Sequence, residues 1–147
     1  ERRRGEMIHD ILSHLEFIGA DIEERLSSVI KEIAGNMDES EDITRIQSLL
    51  LEFLRIPEIA LFFNPVEGRK VLSEQEFIDP EGRLFRMDRV VVDTQSVTVI
   101  DYKTGDDKDT YSDQILGYIN ILQNIYSNRT IHGILAFVDR KKVRVIS

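Results

Sequence analysis

Asp101 and Lys103 stand two residues apart in the stretch VTVIDYKTG, Val97 to Gly105. The period-two alternation of a strand puts that acid and that base on one face. Side chains so placed form either a solvated ion pair or part of a hydrolytic site, in which the ammonium orients a water or stabilises a developing anion. The spacing alone favours the ion pair. The residues before it, Val97, Thr98, Val99 and Ile100, are largely apolar on both faces. That marks a central strand, where charges need a reason.

A second acid comes from the segment RMDRVVV, which carries Asp88. If the following DTQS is a turn centred on Thr94–Gln95, Asp93 pairs with Ser96 and the register carries Asp88 directly opposite Asp101. Opposed residues in an antiparallel pair have Cβ atoms about 4.5–5.5 Å apart, and like charges there repel. One carboxyl must then be protonated, or a cation must lie nearby. A divalent metal shared by both acids is one solution, with Lys103 as a second positive charge. The chain has no cysteine, which excludes thiolate zinc sites and iron–sulfur clusters. Oxygen and imidazole ligands remain, and carboxylates with water suit Mg²⁺ or Mn²⁺.

Other residues could join the site. His9 lies in GEMIH on a helix that is otherwise apolar or acidic. Like His14 and His132, it reads by itself as an ordinary packed or surface histidine. Glu74 and Glu76, in LSEQEF, share a strand face. Gln114 and Tyr118, in QILGY, are four apart and share a helix face, beside an apolar stripe of Ile115, Ile119 and Leu122. They read first as boundary residues of an amphipathic helix, yet both could hydrogen-bond phosphates and the tyrosine could stack on a base.

The elements that must position these residues are legible as patterns. GEMIHDILSHLEFIG, DIEERLSSVIKEIAG and SEDITRIQSLLLEFLR have apolar residues at helical spacing. Asp21 is a candidate N-cap, Gly35 a stop, and Ser40 with Glu41 and Asp42 a start signal. After Pro57 the period changes. KVLSEQEFID, RLFRMDRVVVD and SVTVIDYKT, separated by PEG and DTQS, predict an antiparallel meander. DTYSDQILGYINILQNIYSN predicts a helix, and IHGILAFVD and KVRVIS two closing strands. The fold class is mixed α/β (α+β), with a helical part over about 1–56 and a sheet-containing core over about 57–147.

Composition sets the outer bounds. The 147 residues suit one domain, and 41% hydrophobic with 31% charged residues describes a globular chain. No apolar run approaches the roughly 20 residues of a membrane span, and the N-terminus lacks a signal-peptide core. A cytoplasmic location is expected. The net charge of -8 weighs against a stand-alone nucleic-acid binder and not against an acidic metal site. A start at Glu1 suggests a fragment of something larger.

Taken in order, GEMIH, SEQEF, RMDRVVV, VIDYKTG and QILGY resemble the RecB-like branch of the PD-(D/E)XK nucleases, the C-terminal nuclease domain of RecB and AddA helicase–nucleases. The resemblance spans Gly5 to about Tyr118. It implies a restriction-endonuclease-like core with extra N-terminal helices and Mg²⁺- or Mn²⁺-dependent cleavage of DNA, as an exonuclease, in repair and recombination. It also implies helicase domains on the same parent chain, and a second helicase–nuclease subunit, as partners. By resemblance, His9, Asp88, Asp101 and the Tyr102 backbone carbonyl would hold the metal, and Asp88, Asp101 and Lys103 would be catalytic. Gln114 and Tyr118 would support the site or position DNA. Glu74 matches the acid of a Glu-x-x-Phe strand. Arg86 stands where the family often has Gly and could bind a phosphate. Two other readings compete: a nuclease-like DNA-binding or interaction module that no longer cuts, and an unrelated domain with Asp88 and Asp101 on opposite faces.

Overall fold

The computed structural model describes residues 2–35 and 40–147. It resolves into two compact units, residues 1–65 and 66–147. The helical part thus runs past residue 56, because the short helix and turns after Pro57 belong to it.

The helical unit contains α1 (Arg2–Ser13), α2 (Ile22–Ala34), α3 (Ser40–Leu54) and α4 (Pro57–Ala60). Each longer helix exists because one stripe is apolar and buried: Ile8, Ile11 and Leu12 in α1, and Leu26, Val29 and Ile30 in α2. The first apolar period reaches Gly19, but α1 stops at Ser13. The reason is local. Ser13 Oγ (2.6 Å) and His14 Nδ1 (2.8 Å) both take the Asp10 carbonyl, so side chains replace the next helical bond. Leu15 and Ile18 stay buried beyond the helix end, where Ile18 N–H donates to the Phe63 carbonyl at 2.9 Å. Helix α2 ends at Gly35, φ 54°, whose N–H closes on the Lys31 carbonyl, while Asp21 makes no side-chain cap. The side chains of Ser40 and Glu41, the expected start signal of α3, lie outside the described residues.

The second unit is a five-stranded sheet in the order β1-β2-β3-β4-β5. Strands β1 (Lys70–Ile78), β2 (Leu84–Val92) and β3 (Ser96–Lys103) form the meander. Its first turn is organised by Asp79, whose carboxylate accepts the Glu81 and Arg83 N–H groups at 3.0 and 2.8 Å. The chain then crosses through α5 (Asp109–Ile125), so β4 (Thr130–Phe137) lies parallel to β3, and β5 (Lys142–Val145) returns antiparallel. Ile115, Ile119 and Leu122 of α5 share one core with Val97, Val99, Ile131 and Leu135. The close approach of helix to sheet falls on Gly133, where a Cβ would stand 2.5 Å from Ile115 Cγ2. Strand β3 is buried without interruption from Val97 to Tyr102, the mark of a central strand. Among the described residues no helix is long and apolar enough to cross a membrane.

Candidate active site

The β2–β3 hairpin has the register of a two-residue turn. Asp93 N–H meets the Ser96 carbonyl at 2.8 Å, and the ladder runs from Val92↔Val97 to Arg89↔Ile100. The next facing residues are Asp88 and Asp101, and there ladder pairing stops. The Tyr102 N–H donates instead to Asp88 Oδ2 at 2.8 Å. A side-chain oxygen has taken the place of a strand carbonyl, which fixes the Asp88 carboxylate against the backbone of β3.

Asp101 alternates with Val97 and Val99 and so faces α5, with only 4% of its surface exposed. The charge of the Asp88 carboxylate acts on the Asp101 carboxyl, so the two acids share one face. This disposes of the reading in which they point apart. Lys103 Nζ lies 2.8 Å from Asp101 Oδ2. It is close enough for an ion pair, and this buried oxygen has no hydrogen-bond partner among the described residues. Burial, and then the charge of Asp88, push the Asp101 carboxyl up to about 6, against the pull of Lys103.

The lysine is held from the helix. Lys103 Nζ donates to Gln114 Oε1 at 2.9 Å, and Gln114 Nε2 donates to the Tyr118 hydroxyl at 3.0 Å. That hydroxyl in turn donates to the Arg86 carbonyl at 3.5 Å. The relay runs from the acid pair through α5 and back to β2, two residues before Asp88. Burial, followed by the negative charges of Asp101 and Asp88, pushes the Tyr118 phenol up to about 12, so it stays protonated and able to donate. The end of β3 is pinned as well. Val138 N–H donates to the Lys103 carbonyl at 2.9 Å, and Gly105 N–H donates to both Asp139 oxygens at 2.9 and 3.0 Å. Gly105 has φ 88°, a conformation that favours glycine.

A family model for the PD-(D/E)XK nuclease superfamily matches residues 1–144. The chain belongs to the PD-(D/E)XK nuclease superfamily. No curated protein matches the sequence. Nucleases of this superfamily use divalent metals, and the acid pair fits one: its donors are hard oxygens, and Asp101 keeps a buried oxygen without a hydrogen bond. Within a strand the N–H and C=O of one residue point to the same side. The Tyr102 carbonyl therefore points, like its N–H, toward Asp88. Among the described residues no group of three or more His, Asp and Glu side chains forms a ready metal cage. A cation at this acid pair would keep several of its waters, as Mg²⁺ commonly does.

The remaining sequence candidates are placed as follows. Glu74 sits within β1 between the pairs Ser73↔Arg89 and Gln75↔Met87, at φ 52°. That left-handed conformation costs a non-glycine residue on the order of 1–3 kcal/mol. Its carboxylate reaches Arg86 Nε at 3.0 Å, and Glu76 is exposed. Arg86 itself leaves 65% of its side chain exposed. His9 belongs to α1 in the helical unit, with Nδ1 2.9 Å from the Gly5 carbonyl. A carbonyl only accepts, so Nδ1 carries the proton in the neutral ring and Nε2 the lone pair, the arrangement of a metal-binding histidine. His14 and His132 contact backbone carbonyls of Asp10 and Ser147.

Two residues of the site have no counterpart in the sequence reading. Tyr111 lies under Lys103 Nζ, 4.3 Å from its ring centroid, and its position three before Gln114 puts it on the same helix face. Asp139 follows β4, and only the parallel pairing of β3 with β4 brings it to Gly105.

Proposed function

We propose that the protein hydrolyses DNA phosphodiesters with Mg²⁺, as the nuclease part of a RecB/AddA-type helicase–nuclease acting in DNA repair and recombination. The observation that carries the reading is the Asp88–Asp101 pair, Asp101 buried and Asp88 half-buried, with Lys103 beside Asp101 Oδ2. Like-charged carboxylates side by side, one of them buried, destabilise a fold, and a bound cation is the most direct compensation.

In this reading Asp88, Asp101 and the Tyr102 carbonyl hold the ion in the sheet unit. His9, from the helical unit, is a further ligand on the strength of the family resemblance. When bound, the ion supplies a water of lowered pKa and neutralises charge on the scissile phosphate. The Tyr102 N–H keeps Asp88 in one rotamer. Lys103 presents its ammonium to the attacking water and to the charge developing on phosphorus. Gln114 and Tyr118 hold Lys103 at that point. Arg86, exposed on the strand of Asp88, offers its guanidinium to a neighbouring phosphate once it leaves Glu74. Exonucleolytic action, helicase domains of the same parent chain and a second subunit complete the proposal on motif order, and a cytoplasmic location on the lack of a signal-peptide pattern.

The test is cleavage of end-labelled DNA by the whole chain in Mg²⁺ and in chelator. The wild type is expected to cut only with metal, and Asp101→Ala to lose at least about a hundredfold in rate. Equal cutting by the variant, or cutting in chelator, would remove the acid pair from the reaction. A wild type that binds DNA and metal without cutting would point to a binding module.

A further inference from the structure

The Lys103 ammonium has three holders of different chemistry. Asp101 Oδ2 stands 2.8 Å away, Gln114 Oε1 2.9 Å away, and the Tyr111 ring centroid 4.3 Å away. The first is conditional. Asp101 is also the carboxylate that would bind a cation, and a cation on it competes with Lys103 for the same negative charge. The amide oxygen of Gln114 gives direction at one point only. The face of Tyr111 carries no net charge, so an ion at the acid pair does not compete for it, and it still attracts an ammonium through its quadrupole.

Tyr111 is itself fixed. It lies in the first turn of α5, with its N–H on the Lys108 carbonyl at 3.1 Å. Its ring packs tilted against Phe137, centroids 6.3 Å apart, and Phe137 is the β4 partner of Lys103. The ring is half-buried. A partly desolvated face of this kind binds a cation better than an exposed one, and Lys103 lies nearer to it than Lys108 Nζ, 6.0 Å from the same centroid.

We infer that Tyr111 is a positioning residue for Lys103, the ring against which the ammonium rests when Asp101 is engaged elsewhere. The inference rests on the nuclease reading for its kinetic consequence, but not for its physical one. Tyr111→Leu removes the π face and keeps an apolar side chain against Phe137; Tyr111→Phe keeps the face and removes only the hydroxyl.

Two readouts on the full chain separate the possibilities. In single-turnover cleavage, Tyr111→Leu is expected to lower the rate constant about tenfold with KM and Tm little changed, and Tyr111→Phe to restore most of it. In metal-free protein carrying Asp101→Asn, which removes the ion pair as a bound cation would, acylation of Lys103 by an amine reagent, followed by mass spectrometry against Lys31, is expected to speed up several-fold when Tyr111→Leu is added and not when Tyr111→Phe is added. Unchanged labelling of Lys103 in Tyr111→Leu overturns the inference whether or not the protein cuts DNA. A wild type without cleavage overturns the nuclease reading and leaves the labelling result standing. Equal losses in the Leu and Phe variants would assign the effect to the hydroxyl and overturn the role of the ring.

Discussion

Gln114 Oε1 accepts a hydrogen bond from Lys103 Nζ at 2.9 Å, across eleven residues of chain and from helix to strand. Its amide nitrogen simultaneously donates to the Tyr118 hydroxyl, so the orientation of the amide is set from both ends. A glutamine on the face of α5 thereby becomes part of the lysine's position.

Gln114→Ala is expected to slow cleavage roughly 10- to 100-fold, the usual cost of losing a group that orients a catalytic residue. Because Gln114 is largely exposed, stability should change by less than about 1 kcal/mol. Rate and urea midpoint measured on the same preparation check both. A rate unchanged within about twofold would show that Lys103 needs no brace.

The Asp101 carboxyl predicts a stability that depends on pH. Its folded pKa, about 6, lies above the ordinary 3.8. The native chain thus holds this proton more tightly than the unfolded chain, and the contribution is present below 3.8 and lost as pH rises through about 6. Asp101→Asn, which carries no such charge, should be more stable than the wild type at pH 8 by on the order of 2–3 kcal/mol. The gap should narrow steadily as pH falls toward 4. Urea unfolding in metal-free buffer across that range measures it, and a gap independent of pH would contradict the buried-charge account. Removing this acid would then stabilise the fold, the trade expected of a proposed functional site.

Gly133→Ala tests the helix–sheet contact that carries the brace. An added Cβ would meet Ile115 Cγ2 at 2.5 Å and Ile119 Cδ1 at 2.7 Å. The Ile119 atom can swing away, but Ile115 Cγ2 is fixed to a β-branched carbon and can yield only with the helix. A loss of about 1–3 kcal/mol is expected from overpacking. Cleavage should slow as well, because α5 moves with Gln114. Unchanged thermal stability would show that the helix has room to spare.

Arg86→Ala is expected to raise the KM for DNA several-fold and to lower the salt slope of binding by about one, with little change in the rate of the bound complex. Binding isotherms at several salt concentrations decide it. An unchanged slope would leave Arg86 as the partner of Glu74 alone.

Much of this arrangement was legible in the residues. The turn at Thr94–Gln95 implied the hairpin register, and the ladder keeps that register as far as Arg89↔Ile100, one step short of Asp88 and Asp101. The apolar stripe of α5 was readable at helical period because one face packs on the sheet. Other features were not readable for physical reasons. The early stop of α1 depends on which side chains claim the Asp10 carbonyl, a local competition that periodicity does not encode. Asp139 reaches Gly105 through a parallel pairing made only after a helical crossover. The left-handed backbone of Glu74 within a strand runs against its residue type.

The proposed role of Asp88 and Asp101 is to hold a divalent cation. Its most direct measurement is the anomalous signal of Mn²⁺ in crystals of the whole chain soaked at millimolar metal, together with Mn²⁺ calorimetry of the wild type, Asp88→Asn and Asp101→Asn. The account predicts a peak on the two carboxylates and binding lost in both variants, with a smaller loss in His9→Ala. Mn²⁺ bound elsewhere, or bound equally well by the Asn variants, would contradict it.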